Sequence, residues 1–264
     1  MQESTMVFEN YPQNLSLSLT EKCNLKCFIC TREEFESASV GPPQSFDHTQ
    51  IHKLESAIRH AKTIQLSGFG ESFIYPHLKD VLEYVFPINP KEGLIILITN
   101  GTALSGEWAR LLDGHIAWIN ISLNASNAES YERDMHFSFE KTTRRIKEFT
   151  SNLSEAEKGK ILLSYVVHRD NIAEMQDYVA LAKDLGVPRV NFTQYMVNKE
   201  ERVPMSIFWH KEAYNKSLSK AIRLGKELGV AVSGVKFYSQ KKIQYDKDKD
   251  CAWPLKQCLI NSAG

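Results

Sequence analysis

The chain has 264 residues, 42% hydrophobic and 24% charged, which is ordinary globular composition with enough length for a sizeable core. Lys+Arg and Asp+Glu both total 32, so the formal net charge is zero and the overall balance does not point to nucleic acid. The start, "MQESTMVFENYPQNLS", lacks the basic and apolar regions of a signal peptide, and the longest clean apolar run, "LIILI" at 94–98, is too short to span a bilayer. Five cysteines, an odd number, argue against a disulfide framework, so the expected setting is the cytoplasm with reduced thiols and no membrane partner.

Apolar runs of strand length alternate with segments of helical period. The runs are "NLSLSLT" (14–20), "TIQLSG" (63–68), "LIILITNG" (94–101), "IAWINISLN" (116–124), "ILLSYVVH" (161–168) and "RVNFTQY" (189–195). Between the first two lies an amphipathic segment with Ile51, Leu54 and Ile58 on one face. Before the last run, "NIAEMQDYVALAKDLG" reads as a helix capped by Asn171, with Glu174 at the capping-box position. Ile172, Met175 and Val179 form its buried stripe, and Gly186 ends it. Such alternation predicts a parallel sheet in an α/β fold. Six units fit before residue 200, whereas a closed eight-unit barrel needs about 250 residues for the barrel itself. The expectation is an open, partial (β/α)6 TIM-like barrel over 1–235 with a short C-terminal extension over 236–264. The lysine-rich "KFYSQKKIQYDKDKD" reads as a loop or boundary between them.

In parallel α/β architectures, sites collect at the C-terminal ends of strands. Cys23, Cys27 and Cys30 follow the first strand within "LTEKCNLKCFIC", and the next cysteine is Cys251. A polar strand-end loop is a poor place for inert buried thiols. Zinc favours paired cysteines and four-coordinate closure. A redox dithiol would use Cys27 and Cys30 and leave Cys23 unexplained. A four-iron cluster fits better: three thiolates hold three irons, and the fourth stays open to a small ligand.

This C-x3-C-x2-C loop resembles that of the radical S-adenosylmethionine (radical SAM) superfamily. "LSGFGESFIYPHLKDVL" (66–82) looks like its glycine–glutamate motif after strand two. "LITNGTAL" and "ISLNASNAESYE" are similar to later strand-end motifs. The resemblance covers roughly 14–200. It implies a [4Fe-4S] cluster on Cys23, Cys27 and Cys30, with S-adenosylmethionine cleaved to a 5′-deoxyadenosyl radical that takes hydrogen from a substrate. It further implies cofactor contacts at Gly68, Gly70, Glu71, Asn100, Ser122, Asn124 and, past strand six, Met196. Glu71 would face the methionine ammonium. Ile29 occupies the position where the family often has an aromatic residue for the adenine, and here the aromatic is Phe28, so the adenine contact is expected to be mainly backbone. The expected partners are a small-molecule or peptide substrate (peptide, sugar or nucleoside) and an electron donor such as flavodoxin or ferredoxin.

His168, Arg169, Tyr165, Gln194 and Tyr195 end strands five and six. His168 and Tyr195, with Glu71, are candidates to meet substrate. His48 and His52 stand four apart but lack the zinc-protease glutamate and read as a solvated helix face. No Walker or dinucleotide fingerprint is present. The competing readings are a non-catalytic iron–sulfur electron-transfer protein and a structural zinc module. "GFGES" and "SLNAS" argue against a carrier, which needs no amino-acid-binding rim. At the far end, "DCAWPLKQCLINSAG" resembles the opening of a SPASM or twitch extension. There Cys251 would be the first ligand of an auxiliary iron–sulfur cluster. Cys258, inside a predicted strand, is the weaker ligand candidate of the two, and the native chain would continue past residue 264.

Overall fold

The computed structural model describes residues 11–32, 42–197, 199–236 and, as backbone, 257–260. Eight parallel strands form one open sheet: β1 (Asn14–Leu17), β2 (Thr63–Leu66), β3 (Ile95–Thr99), β4 (Ile116–Ser122), β5 (Ile161–Val167), β6 (Arg189–Gln194), β7 (Ala231–Gly234) and β8 (Gln257–Ile260). The spatial order is β7-β6-β5-β4-β3-β2-β1-β8, so β1 to β7 are laid down consecutively and β8 adds itself beside β1. The six expected strands all lie within the predicted runs, in the α/β partial-barrel arrangement. β7 and β8 extend the sheet at its two edges.

The intervening helices are α1 (Glu55–His60), α2 (Leu78–Ile88), α3 (Gly106–Leu112), α4 (Ala128–Met135), α5 (Phe139–Ser151), α6 (Glu155–Lys158), α7 (Met175–Asp184) and α8 (Lys211–Leu228). One face of the central strands is excluded from water: Ile64, Leu66, Ile95, Leu97, Ile119, Ile121, Ile161 and Leu163 share it in register and are fully buried, while residues of the other face such as Gln65, Ile96, Ile98, Asn120 and Leu162 are half-buried. The half-buried face also carries apolar side chains, among them Ile96, Ile98 and Leu162, which is why those segments read as near-continuous apolar runs rather than as alternating ones. Helix stripes complete the core, with Val81, Leu82 and Val85 on α2 and Met175, Tyr178 and Val179 on α7.

Two helix starts differ from their sequence patterns. The segment after Asp47 begins as a 3-10 turn, His48–Leu54, before α1, with the Asp47 side chain accepting from Thr49 N. Before α7 there is likewise a 3-10 turn, Arg169–Glu174, and its N-cap is His168, one turn earlier than the expected Asn171. Asn171 instead closes the corner: its Oδ1 accepts from His168 N at 2.8 Å and its Nδ2 donates to Val166 O at 3.0 Å. Glu174 does not cap its own helix. Its carboxylate accepts from Ser126 N, Ser126 Oγ and Ser130 Oγ at 2.8–3.1 Å, tying α7 to the loop after β4. A carboxylate bonds wherever donors converge, and here the neighbouring loop outcompeted the local backbone.

Asn171 is 1% exposed, so truncating it strands two buried backbone groups. Asn171→Ala is expected to lower unfolding stability by about 1–3 kcal/mol, read from urea denaturation. An unchanged midpoint would show that the corner does not depend on this amide.

Candidate active site at the strand-end rim

The cysteine loop leaves β1 and is immediately pinned by the returning chain. Thr20 bridges Ser45 in antiparallel fashion, Phe46 N donates to Leu19 O at 2.9 Å, and Glu21 N donates to Gln44 O at 2.9 Å. Leu19 and Leu25 bury their side chains, so the loop is anchored on both sides of Cys23.

The glycine–glutamate motif after β2 packs directly against this loop. A Cβ on Gly70 would lie 2.3 Å from Thr20 O and 2.4 Å from Lys22 O, and one on Gly68 would lie 2.0 Å from Ser18 Oγ. Both glycines are therefore required by close approach to the chain itself. Glu71 N donates to Lys22 O at 2.9 Å. The Glu71 carboxylate is 3% exposed and accepts three hydrogen bonds, from Phe73 N (3.1 Å), Thr99 Oγ1 (2.8 Å) and Asn100 N (2.6 Å). Burial pushes its carboxyl above the ordinary carboxylate range, and these hydrogen bonds oppose that rise. The side chain expected to face an ammonium is thus engaged by donors from its own chain, joining the loop after β2 to the end of β3.

The third loop completes the contact. Asn100 Nδ2 donates to Asn24 Oδ1 at 3.0 Å and lies 3.7 Å from Cys23 Sγ. Asn24 Nδ2 in turn donates to Thr102 Oγ1 at 2.8 Å, and Thr102 Oγ1 donates to Asn100 Oδ1 at 2.6 Å. The expected residues Gly68, Gly70, Glu71 and Asn100 are thereby brought together around Cys23.

The other half of the cysteine loop meets β4, β5 and β6. Phe28 N donates to the carbonyl of Asp134 at 2.8 Å, near the end of α4. The Phe28 ring lies 5.6 Å from His168 and 5.9 Å from Tyr195, and the Arg202 guanidinium sits 4.7 Å above it. His168 and Tyr195, expected to meet substrate, are 2% and 5% exposed and pack on Phe28. His168 Nε2 faces Asp134 Oδ2 at 3.6 Å, and Arg133 grips the same carboxylate through Nε and Nη2. Burial opposes ionisation of Asp134, but the nearby His168 ring, the Arg133 hydrogen bonds and the Arg133 charge outweigh it and hold the carboxyl at about 2. A cavity of about 760 Å³ opens beside Cys27 and Phe28, with Arg133, Asp134, His168 and Arg202 in its wall.

The remaining expected residues are placed as follows. Ile29 packs against the core. Ser122 ends β4, half-buried, in register with Ser164. Asn124 adopts a left-handed φ of 56° and accepts from Val166 N at 2.9 Å, which commits its carbonyl to β5. Met196 is 81% exposed, just past β6. Cys251 lies outside the described residues. His52 bonds back to Thr49 O, as expected of a helix face. His48, His77 and Asp80 bring ligand atoms within 4.8 Å of one another, but the two rings are stacked, 3.7 Å apart at 10°. Their in-plane lone pairs run side by side rather than converging on one ion. Sequence reasoning missed Asp134 and Arg202; neither lies in a strand-end motif, and only the fold brings them to Phe28.

The donor set suits an iron cluster. Cys23 Sγ and Cys30 Sγ each accept a backbone N–H, from Leu25 at 3.5 Å and Arg32 at 3.4 Å. Burial, and then the neighbouring thiolates Cys23 and Cys30, push the Cys27 thiol up to about 12. Cys23 is also raised, chiefly by burial. The protein alone does not stabilise the Cys23 and Cys27 thiolates, whereas a cationic iron centre would.

The radical SAM superfamily model matches residues 17–182. The chain belongs to the radical SAM superfamily. It is a radical SAM enzyme, and its cofactors are a [4Fe-4S] cluster and S-adenosylmethionine. It is 26% identical over 189 residues to a probable GTP 3′,8-cyclase of Methanocaldococcus jannaschii, covering 72% of this chain and 61% of that one. It is 27% identical over 186 residues to the Bacillus subtilis antilisterial bacteriocin subtilosin biosynthesis protein AlbA, covering 69% of this chain and 39% of AlbA. The chain thus spans less than two thirds of the length of these relatives. The S-adenosylmethionine-bound structure of SuiB from Streptococcus suis shares the fold, with a TM-score of 0.65 at 14% identity, covering 97% of this chain and 57% of SuiB. The AdoMet-bound structure of anSMEcpe does so with a TM-score of 0.63 at 17% identity, covering 84% of this radical SAM chain and 61% of that one.

Gly70→Ala is expected to displace the cysteine loop, because two backbone carbonyls cannot both retreat from the new methyl group. Iron bound after anaerobic reconstitution should fall below about half of wild type, as loss of ligand preorganisation at a metal site requires. Gly114→Ala, where a Cβ meets nothing within 4 Å, provides the comparison for backbone strain alone. Full iron loading of Gly70→Ala would refute the packing role.

Proposed function

We propose that Cys23, Cys27 and Cys30 are the cluster ligands and that the enzyme generates a 5′-deoxyadenosyl radical to abstract hydrogen from a substrate. The observation that carries this reading is the convergence of the loops after β1, β2 and β3 on Cys23, with Asn100 and Asn24 beside its sulfur. When bound, the cluster and S-adenosylmethionine supply one-electron cleavage of a carbon–sulfur bond.

The chain's own part is to hold and orient. Gly68 and Gly70 let the loop after β2 lie flat against the cysteine loop. Glu71 fixes that loop to Thr99 and Asn100. Ser122, half-buried at the rim, is the hydroxyl we assign to the cofactor's ribose or carboxylate. The buried walls, including Tyr195 and His168, keep water from the reacting centre. The substrate is a peptide, sugar or nucleoside reaching the rim through the cavity beside Phe28. Likeness to AlbA and to SuiB, which was solved with its precursor peptide SuiA, supports a peptide; likeness to GTP 3′,8-cyclases supports a nucleotide. A flavodoxin or ferredoxin is the proposed electron donor and the cytoplasm the proposed setting. No helix among the described residues is long and apolar enough to cross a membrane. Cys251 is proposed as a ligand of an auxiliary cluster in a SPASM or twitch extension.

Two variants test the assignment. Cys27→Ala should abolish the cluster's brown absorbance and all 5′-deoxyadenosine release while leaving the circular dichroism spectrum intact. Continued 5′-deoxyadenosine release would show the triplet to be misassigned. Glu71→Ala leaves Thr99 Oγ1 and two backbone N–H groups without an acceptor, so it should weaken both iron retention and S-adenosylmethionine affinity, the latter by about tenfold or more. Unchanged iron retention with lowered cofactor affinity would restore a direct contact between this carboxylate and the methionine ammonium.

A further inference from the structure

Phe28 stands between two proposed ligands, Cys27 and Cys30, and four groups hold it. Its N–H is fixed by Asp134 O, and its ring lies among His168, Tyr195 and the Arg202 guanidinium. Its carbonyl accepts from Arg202 Nη1 at 2.5 Å, and the same nitrogen lies 3.5 Å from Tyr195 Oη. Arg202 thus engages one residue twice, by carbonyl and by ring face, from a 3-10 turn (Glu200–Met205) that lies 174 residues further along the chain.

We propose that Arg202 is a positioning residue for the ligand loop, clamping Phe28 so that Cys27 and Cys30 keep the spacing the cluster needs. The inference rests on the reading that these cysteines bind the cluster. The turn between them is short, closed by Cys30 N donating to Cys27 O at 3.0 Å. A turn of this length transmits any rotation at Phe28 directly to both sulfurs. Ile29 packs against the core on one side, and Arg202 closes the other. The action is geometric, through the carbonyl bond and the contact over the ring. A planar guanidinium can bond the carbonyl while lying over the ring; a lysine ammonium cannot reproduce both contacts. Arg202 also forms part of the cavity wall beside Cys27, so a substrate entering there touches the clamp itself.

The test compares wild type, Arg202→Lys and Arg202→Met in two states. In the metal-free protein, amide hydrogen exchange is followed across residues 23–30. Arg202→Met should speed exchange at Phe28 and Cys30 by about tenfold, the factor expected when one hydrogen bond to a charged group is lost, without lowering the melting temperature of the barrel. Arg202→Lys should fall between, since charge alone does not restore the ring contact. In the reconstituted protein, the electron paramagnetic resonance signal of the reduced cluster should broaden or shift in Arg202→Met. Identical exchange and identical spectra in all three proteins overturn the proposal. A wild type that assembles no cluster overturns the ligand reading instead, while the exchange comparison still decides whether Arg202 orders the loop.

Discussion

A closed circuit of contacts fixes Cys23. Gly70 lies so close to the carbonyls of Thr20 and Lys22 that no side chain fits, and Glu71 N–H then bonds Lys22 O. The Glu71 carboxylate carries the circuit to Thr99 and Asn100, and Asn100 carries it to Asn24 and Cys23. Burying a carboxylate is costly unless donors replace its water. Three donors do so here, two of them backbone N–H groups. That cost makes the arrangement discriminating: a displaced loop would leave a buried acceptor unpaired, so the three strand ends hold one geometry or lose several bonds together.

The second half of the ligand loop is held by different forces. Around Phe28 the contacts are aromatic and cationic, with one backbone bond to α4. The polar circuit constrains direction at Cys23, because hydrogen bonds are angular. At Phe28 the aromatic cage constrains volume, and the Arg202 bond to the Phe28 carbonyl adds a directional constraint. Cys27 lies between the two regimes, and burial raises its thiol to about 12. The loop is therefore held on both sides, by the polar circuit at Cys23 and by the Arg202 contacts at Phe28.

The sheet was legible because its central strands carry apolar residues on a fully buried face and again on a half-buried one, which produces continuous runs such as "LIILIT". β7 was not legible for the converse reason: Ala231–Gly234 alternates exposed and half-buried positions and carries no apolar run. The rim motifs could be placed from strand ends alone, since a parallel sheet sends every such loop to one side. What those residues bond to could not. A glutamate in a glycine-rich turn offers the same local chemistry to a ligand as to Asn100, and a distance of 29 residues in sequence separates the two readings. Glu174 failed in the same way, trading a local cap for serines more than 40 residues upstream. Asp134 and Arg202 carried no signal, because their roles are defined by Phe28, which is remote from both in sequence.

β8 bears on the ligand loop from the opposite side. It pairs in parallel with β1 along its whole length, Asn14 to Leu17 against Gln257 to Ile260, with Cys258 opposite Leu15. Without that strand β1 would be an edge, free to fray at the point where the cysteine loop departs. With it, β1 has a hydrogen-bonded neighbour on each side, β2 and β8. The loop then leaves from a strand that is interior to the sheet. Its first fixed point is consequently the backbone ladder itself, and the circuit through Glu71 and the cage around Phe28 act on a loop whose root is hydrogen-bonded on both sides.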